Sequence, residues 1–191
     1  MINSIRLAVA DSLELKRAFF RSNENLIADV AREILAAFNR GNKVLLFGNG
    51  GSAADAQHIA AEWVGRFQRE RLPYPAIALT TDTSILTAIG NDYGFDQVFV
   101  RQIQALGRKG DIAIAISTSG NSPNVLAAAD AAVESGLIVV GLTGRDGGEL
   151  GSRVRYHLNV SHNLSARIQE VHIMIGHILC ELVEADLKGS Q

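Results

Sequence analysis

Apolar residues in the first forty positions recur at helical spacing. Ile2, Ile5, Val9 and Leu13 step by three or four, Phe20 falls two turns further on, and Leu7, Leu15 and Phe19 widen the stripe. The polar stretch Ser22 to Asn25 predicts a break. A second stripe follows from Leu26, Ile27, Val30, Ile34, Leu35 and Phe38, and Gly41 with Asn42 ends it. Residues 1–40 are therefore read as two helices.

After Gly41 the pattern changes to short continuous apolar runs. Val44 to Phe47, closed by Gly48, suits a strand buried on both faces of a parallel sheet. Similar runs span Ala76 to Leu79, Ile112 to Ile116 and Ile138 to Leu142, with a weaker one from Tyr156 to Val160. Helical patterns lie between most of them, at Ala53 to Val64, Phe95 to Leu106 and Pro123 to Ser135. A last helix is expected from Ser165 to Leu187. Strands alternating with helices imply βαβ units with right-handed crossovers. The expected architecture is α/β: a three-layer αβα sandwich around a five-stranded, mostly parallel sheet. One domain over 1–191 is expected, with N-terminal helices in 1–40 and the α/β core in 43–187.

Composition narrows the function classes. The chain has 191 residues, enough for one domain with a sizeable core. Lys and Arg number 18 against 20 Asp and Glu, so the net charge is −2, which disfavours a nucleic-acid partner. Hydrophobic residues make up 47%, too many for a disordered chain. The single cysteine, Cys180, excludes an intrachain disulfide and a Cys-rich metal cluster, and reads as a small buried hydrophobe. No uninterrupted apolar stretch approaches the roughly 20 residues that span a bilayer, and the N-terminus lacks a secretion signal's pattern. A cytoplasmic protein with no membrane partner is the expectation.

In such a sheet, ligands bind where strands end and helices begin. Gly48-Asn49-Gly50-Gly51-Ser52 follows the first strand and opens a helix. Its glycines admit a ligand close to the backbone, and free N–H groups at a helix start attract an anion. The loop also fits the dinucleotide pattern G-x-G-x-x-A. The acid expected about 20 residues on has no good counterpart: Glu70 lies in a charged linker and Asp82 comes late. Ser117-Thr118-Ser119-Gly120-Asn121-Ser122 follows the third strand, with Pro123 suited to the first turn of a helix and Ser122 to its N-cap. Two such loops favour a phosphorylated small molecule. A third, Thr143 to Glu149, reads as a tight turn.

Candidate chemistry sits on two helices. His58 and Glu62 are four apart, on one helix face, where they can share a metal or pair a base with its orienter. Gln169, Glu170, His172 and His177 lie in the mostly apolar last helix, where buried polar groups need partners. His157 and His162 are assigned no role.

These segments together resemble the sugar isomerase (SIS) family, and within it the branch acting on phosphorylated heptoses. The resemblance rests on GNGGSAADAQHIAAE (Gly48 to Glu62), LTAIGNDYGF (Leu86 to Phe95), ISTSGNSPNV (Ile116 to Val125), LTGRDGG (Leu142 to Gly148) and ARIQEVHIMIGHIL (Ala166 to Leu179), in the family's order. It implies an aldose–ketose isomerisation of sedoheptulose 7-phosphate to a manno-heptose 7-phosphate, a precursor of ADP-heptose for lipopolysaccharide and other glycans. It implies a homotetramer with active sites at subunit interfaces. Glu62 stands at the family's base and His177 at its acid. One zinc per subunit is carried over to His58, Glu62, Gln169 and His177. Substrate contacts fall on Asn49, Gly50, Gly51, Ser52, Glu62, Asn91, Asp92, Ser117, Thr118, Ser119, Ser122 and Gln169. Three rival readings are weighed. One is a relative that binds the replication initiator DnaA and lacks the base carboxylate. The others are a sugar-phosphate sensor and a nucleotide-dependent oxidoreductase. Glu62 and His177 together favour catalysis.

Overall fold

The computed structural model describes residues 1–185. Five strands form one parallel sheet: β1 (Val44–Gly48), β2 (Ala76–Ala78), β3 (Ile112–Ser117), β4 (Ile138–Gly144) and β5 (Tyr156–Val160). Six helices accompany them: α1 (Ile2–Asn39), α2 (Gly51–Val64), α3 (Thr83–Asp92), α4 (Val100–Leu106), α5 (Pro123–Glu134) and α6 (Ser165–Ala185). The spatial strand order is β2-β1-β3-β4-β5. The order reverses between β1 and β3, so the carboxyl ends of these two strands flank the crevice where an open parallel sheet binds its ligand.

Every residue of β1 and β3 is buried, which explains their unbroken apolar runs. Successive side chains go to opposite faces. Val44, Leu46, Ile112, Ile114 and Ile116 pack with α1, α2 and α6. Leu45, Phe47, Ala113 and Ala115 pack with α4 and α5. The layers are those expected, and Cys180 is fully buried, its thiol pushed up to about 12 by burial.

Three details differ from the sequence reading. The first forty residues form one continuous helix, about 57 Å long at 1.5 Å per residue. Ser22 to Asn25 contains no glycine or proline; these polar residues face outward, and the Asn23 amide bonds back to the Phe19 carbonyl at 2.9 Å. Helix α3 was not expected. Its start was legible at Asp82, whose carboxylate caps the Ile85 N–H at 2.9 Å. The expected helix Phe95 to Leu106 divides into a 3₁₀ turn, Phe95–Gln97, and α4. The end expected at Leu187 lies outside the described residues. Among the described residues, no helix is long and apolar enough to cross a membrane.

Candidate active site

The glycine loop leaves β1 and the serine loop leaves β3, side by side at the switch point. They are joined by a reciprocal amide pair. The Asn49 amide donates to Asn124 Oδ1 at 2.8 Å, and the Asn124 amide donates back to Asn49 Oδ1 at 2.9 Å. Asn124, in the first turn of α5, is buried, and sequence reasoning passed over it because nothing in the chain pairs positions 75 residues apart. Ser52 and Ser117 are buried beneath the loops. Ser117 Oγ lies 3.0 Å from Ser122 Oγ and 3.4 Å from Ser119 Oγ, and the Asn121 N–H donates to Ser119 Oγ at 3.1 Å. Ser122 holds the N-cap position of α5, but its hydroxyl bonds Ser117 instead of a helix N–H. Thr118 reaches Ser165, the first residue of α6, at 3.5 Å. Hydroxyls bonded to one another can rotate toward an incoming anion without leaving a buried group unpaired.

The turn read at Thr143 to Glu149 is a buttress for the serine loop. The Leu150 N–H donates to the Gly120 carbonyl and the Glu149 N–H to Asn121 Oδ1, both at 2.9 Å. Thr143 is buried beneath, accepting from His157 Nε2 at 2.7 Å and donating to Asn159 at 2.9 Å. His172 is buried too, its Nε2 donating to the Thr143 carbonyl at 2.8 Å. Burial lowers its pKa to about 4, so it stays neutral and serves the core. Gly120 has φ +67° and packs directly on the Gly147 and Gly148 backbone. Gly120→Ala is expected to lose about 1–3 kcal/mol of stability from the backbone conformation alone, and to raise KM for a sugar phosphate by loosening the cradle. Thermal unfolding and steady-state kinetics check both; unchanged Tm and KM would show that the clamp is dispensable.

Beyond the glycine loop, α2 carries His58 and Glu62 on the face turned to α6. His58 Nε2 lies 3.3 Å from Glu62 Oε1 and 2.9 Å from His177 Nε2. The helices come this close because residue 176 is glycine; a Cβ there would overlap the Ile59 side chain. One ligand atom from each of His58, Glu62 and His177 falls within 4.8 Å of the others. Two nitrogens and a carboxylate oxygen form the donor set of a three-ligand catalytic zinc site, so the trio fits that ion. The Phe67 ring stacks on His177, with centroids 5.6 Å apart and planes 26° apart. Asp55, one turn before His58, is half-buried; burial raises its pKa to about 6 against the opposing pull of His58.

Gln169 stands two turns before His177 on α6, about 12 Å of helical rise away. Its carboxamide packs against Gly51 at the glycine loop. Asn91 and Asp92 close α3. They bond to each other at 2.7 Å, and among the described residues no hydrogen bond joins them to either loop. One chain thus brings together the two loops, with the Gln169 carboxamide against Gly51, and the trio, while no hydrogen bond among the described residues joins Asn91 and Asp92 to either loop.

Known proteins are similar to this chain in sequence and fold. The profile of the SIS domain family matches residues 9–144. The chain is similar to the phosphoheptose isomerase of Nitratidesulfovibrio vulgaris (strain Hildenborough), 54% identical over 182 residues that cover 94% of this chain and 88% of the relative. It is similar to that of Aquifex aeolicus, 55% identical over 184 residues, 96% of each chain. The solved phosphoheptose isomerase of Neisseria gonorrhoeae superposes with a TM-score of 0.91 at 45% identity, covering 96% of this chain and 98% of that one. That of Francisella tularensis does so with 0.93 at 37% identity, over the same shares.

Proposed function

The chain belongs to the SIS domain family, and from that premise we propose that it is an aldose–ketose isomerase converting D-sedoheptulose 7-phosphate to D-glycero-D-manno-heptose 7-phosphate. The observation that carries the reading is the trio in which His58 and Glu62, on the helix that opens at a phosphate-type loop, meet His177 of α6. A protein that only binds a sugar phosphate, or a replication protein, has no need of a carboxylate and two imidazoles converging on one point.

The open-chain sugar lies with its phosphate on the hydroxyls of Ser52, Ser117, Thr118, Ser119 and Ser122, and with its hydroxyls on Asn49, the Gly50 and Gly51 backbone and Gln169. Glu62 removes a proton from C1, giving an enediol, and returns a proton to C2. His177 relays a proton between the two oxygens, a task suited to an imidazole near neutrality. A zinc ion held by His58, Glu62 and His177, with Gln169 as the fourth ligand that the resemblance implies, would supply polarisation of the substrate's oxygens. An imidazole that holds an ion through one ring nitrogen moves a proton only through the other, so His177 would use one nitrogen for each role. Glu62 has two oxygens and can serve both.

Assembly as a homotetramer, with sites at the interfaces, fits the surface. Ile2, Ile5, Leu7, Val9 and Leu13 are exposed along the first half of α1, and α3 buries no residue within one chain. A neighbouring copy would bring Asn91 and Asp92 to the substrate.

Turnover of sedoheptulose 7-phosphate by the purified protein tests the reading; no turnover, with or without added zinc, would overturn it. Chelation is expected to lower the rate and zinc to restore it. Full activity in metal-stripped protein would remove zinc from the account and leave the acid–base pair.

A further inference from the structure

One buried ion pair ties together the chain segments around the trio. Glu184 lies two turns beyond His177 on the same face of α6, and its side chain is only 3% exposed. It gathers four donors from the segment that follows α2. Its Oε1 accepts from the Phe67 N–H and from Arg71 Nε, both at 2.8 Å. Its Oε2 accepts from the N–H groups of Gln68 at 2.9 Å and Arg69 at 3.1 Å. Arg71, 5% exposed, turns its remaining donors onto the end of α2. Nη1 donates to the Trp63 carbonyl at 2.8 Å and to that of Leu72 at 3.1 Å, and Nη2 donates to the Glu62 carbonyl at 2.9 Å. The guanidinium lies 4.6 Å over the Tyr74 ring, which is itself stacked on Phe38.

The consequence reaches both groups of the acid–base pair. Arg71 holds the main chain of Glu62 at the last turn of α2, where a cation also suits the helix dipole. Glu184 pins the Phe67 N–H, which sets the Phe67 ring against His177. Burying two charges is costly unless their bonds are filled, and here, besides the bond between the pair, they are filled by main-chain groups between Glu62 and Leu72.

We propose that Arg71, Glu184 and Phe67 are positioning residues: the buried pair fixes Phe67 as a wall that holds the His177 imidazole in line with Glu62. The inference rests on the acid–base reading of the trio. A catalytic pair held a fraction of an ångström off loses rate before it loses substrate affinity, and a 1 Å error costs about a hundredfold.

The test is steady-state kinetics on the full chain with Phe67→Leu, Phe67→Tyr, Glu184→Gln and the double variant Phe67→Leu with Glu184→Gln. Phe67→Leu keeps an apolar filling but removes the flat ring. It is expected to lower kcat about tenfold, well inside that limit, with KM within about twofold and the Tm little changed. Phe67→Tyr keeps the ring and is expected to retain the rate. Because Glu184 acts through Phe67, the double variant is expected to match the slower single variant instead of multiplying the two losses. Wild-type kcat in Phe67→Leu, an equal loss in Phe67→Tyr, or multiplying losses would each overturn the proposal. Should Glu184→Gln fold poorly, the comparison of the two Phe67 variants decides alone. Full activity in His177→Ala would instead overturn the acid–base reading. An inactive His177→Ala beside a fully active Phe67→Leu would overturn this inference only.

Discussion

Glu62→Gln is expected to lower kcat by about 10²–10⁴-fold, the contribution typical of one positioned acid or base, with KM and Tm close to wild type. Glutamine has the same length and shape and can still bond His58, which lies 3.3 Å from the carboxylate. What it lacks is the ability to accept a proton from carbon. Its folded surroundings are kept as well, since the Glu62 carbonyl is held by Arg71 and α2 remains packed on α6. The measurement is kcat and KM with sedoheptulose 7-phosphate, together with a thermal melt. A variant that turns over at more than about a tenth of the wild-type rate would remove Glu62 as the base, since the expected loss begins at about a hundredfold. A binding assay then separates the roles: sugar phosphate still retained by an inactive Glu62→Gln places the loss in chemistry.

Glu184→Ala is expected to cost about 3–5 kcal/mol of stability, because removing one partner leaves the Arg71 guanidinium buried and unpaired. Three backbone N–H groups lose their acceptor at the same time. Urea denaturation of wild type and variant reads the difference, and a loss under about 1 kcal/mol, the range of exposed pairs, would show that the pair behaves like a surface one. Acid should mimic the change. Burial pushes the Glu184 carboxyl up, but the N–H groups of Gln68, Phe67 and Arg69 and the Arg71 side chain outweigh it and hold it below its ordinary value of 4.5. Asp111, just before β3, shows the same balance. Burial raises it, and bonds from Lys43, Asn42 and Arg108 bring it below its ordinary value of 3.8. A group with a depressed folded pKa binds its proton more readily in the unfolded chain. Its stabilisation is therefore complete above the ordinary value and lost as pH falls below it. Stability should fall with acid below about 4.5, and the slope should be smaller in Glu184→Ala.

Much of this protein was legible in its sequence. Short apolar runs closed by glycine or serine marked the strands because a strand covered on both faces has nowhere to place a polar residue. The loops at Gly48 to Ser52 and Ser117 to Ser122 were legible as a candidate phosphate cradle because glycines, hydroxyls and a helix start are local features, complete within six residues. The pairing of His58 with Glu62 followed from helical periodicity alone. What misled was also local. Four polar residues at 22–25 looked like a break, yet a helix tolerates an outward polar turn when neither glycine nor proline interrupts its hydrogen bonds.

The strand order, and with it the meeting of the two loops, was decided only in three dimensions. Asn49 finds Asn124, and His177 finds His58, across 75 and 119 residues of chain. The same holds for Glu184, which sequence reasoning did not single out and which folding buries against Arg71. Spacing along a chain reports which residues share a face. Which faces then meet depends on how the sheet orders its strands and how closely a glycine lets two helices approach, and neither is written in any one segment.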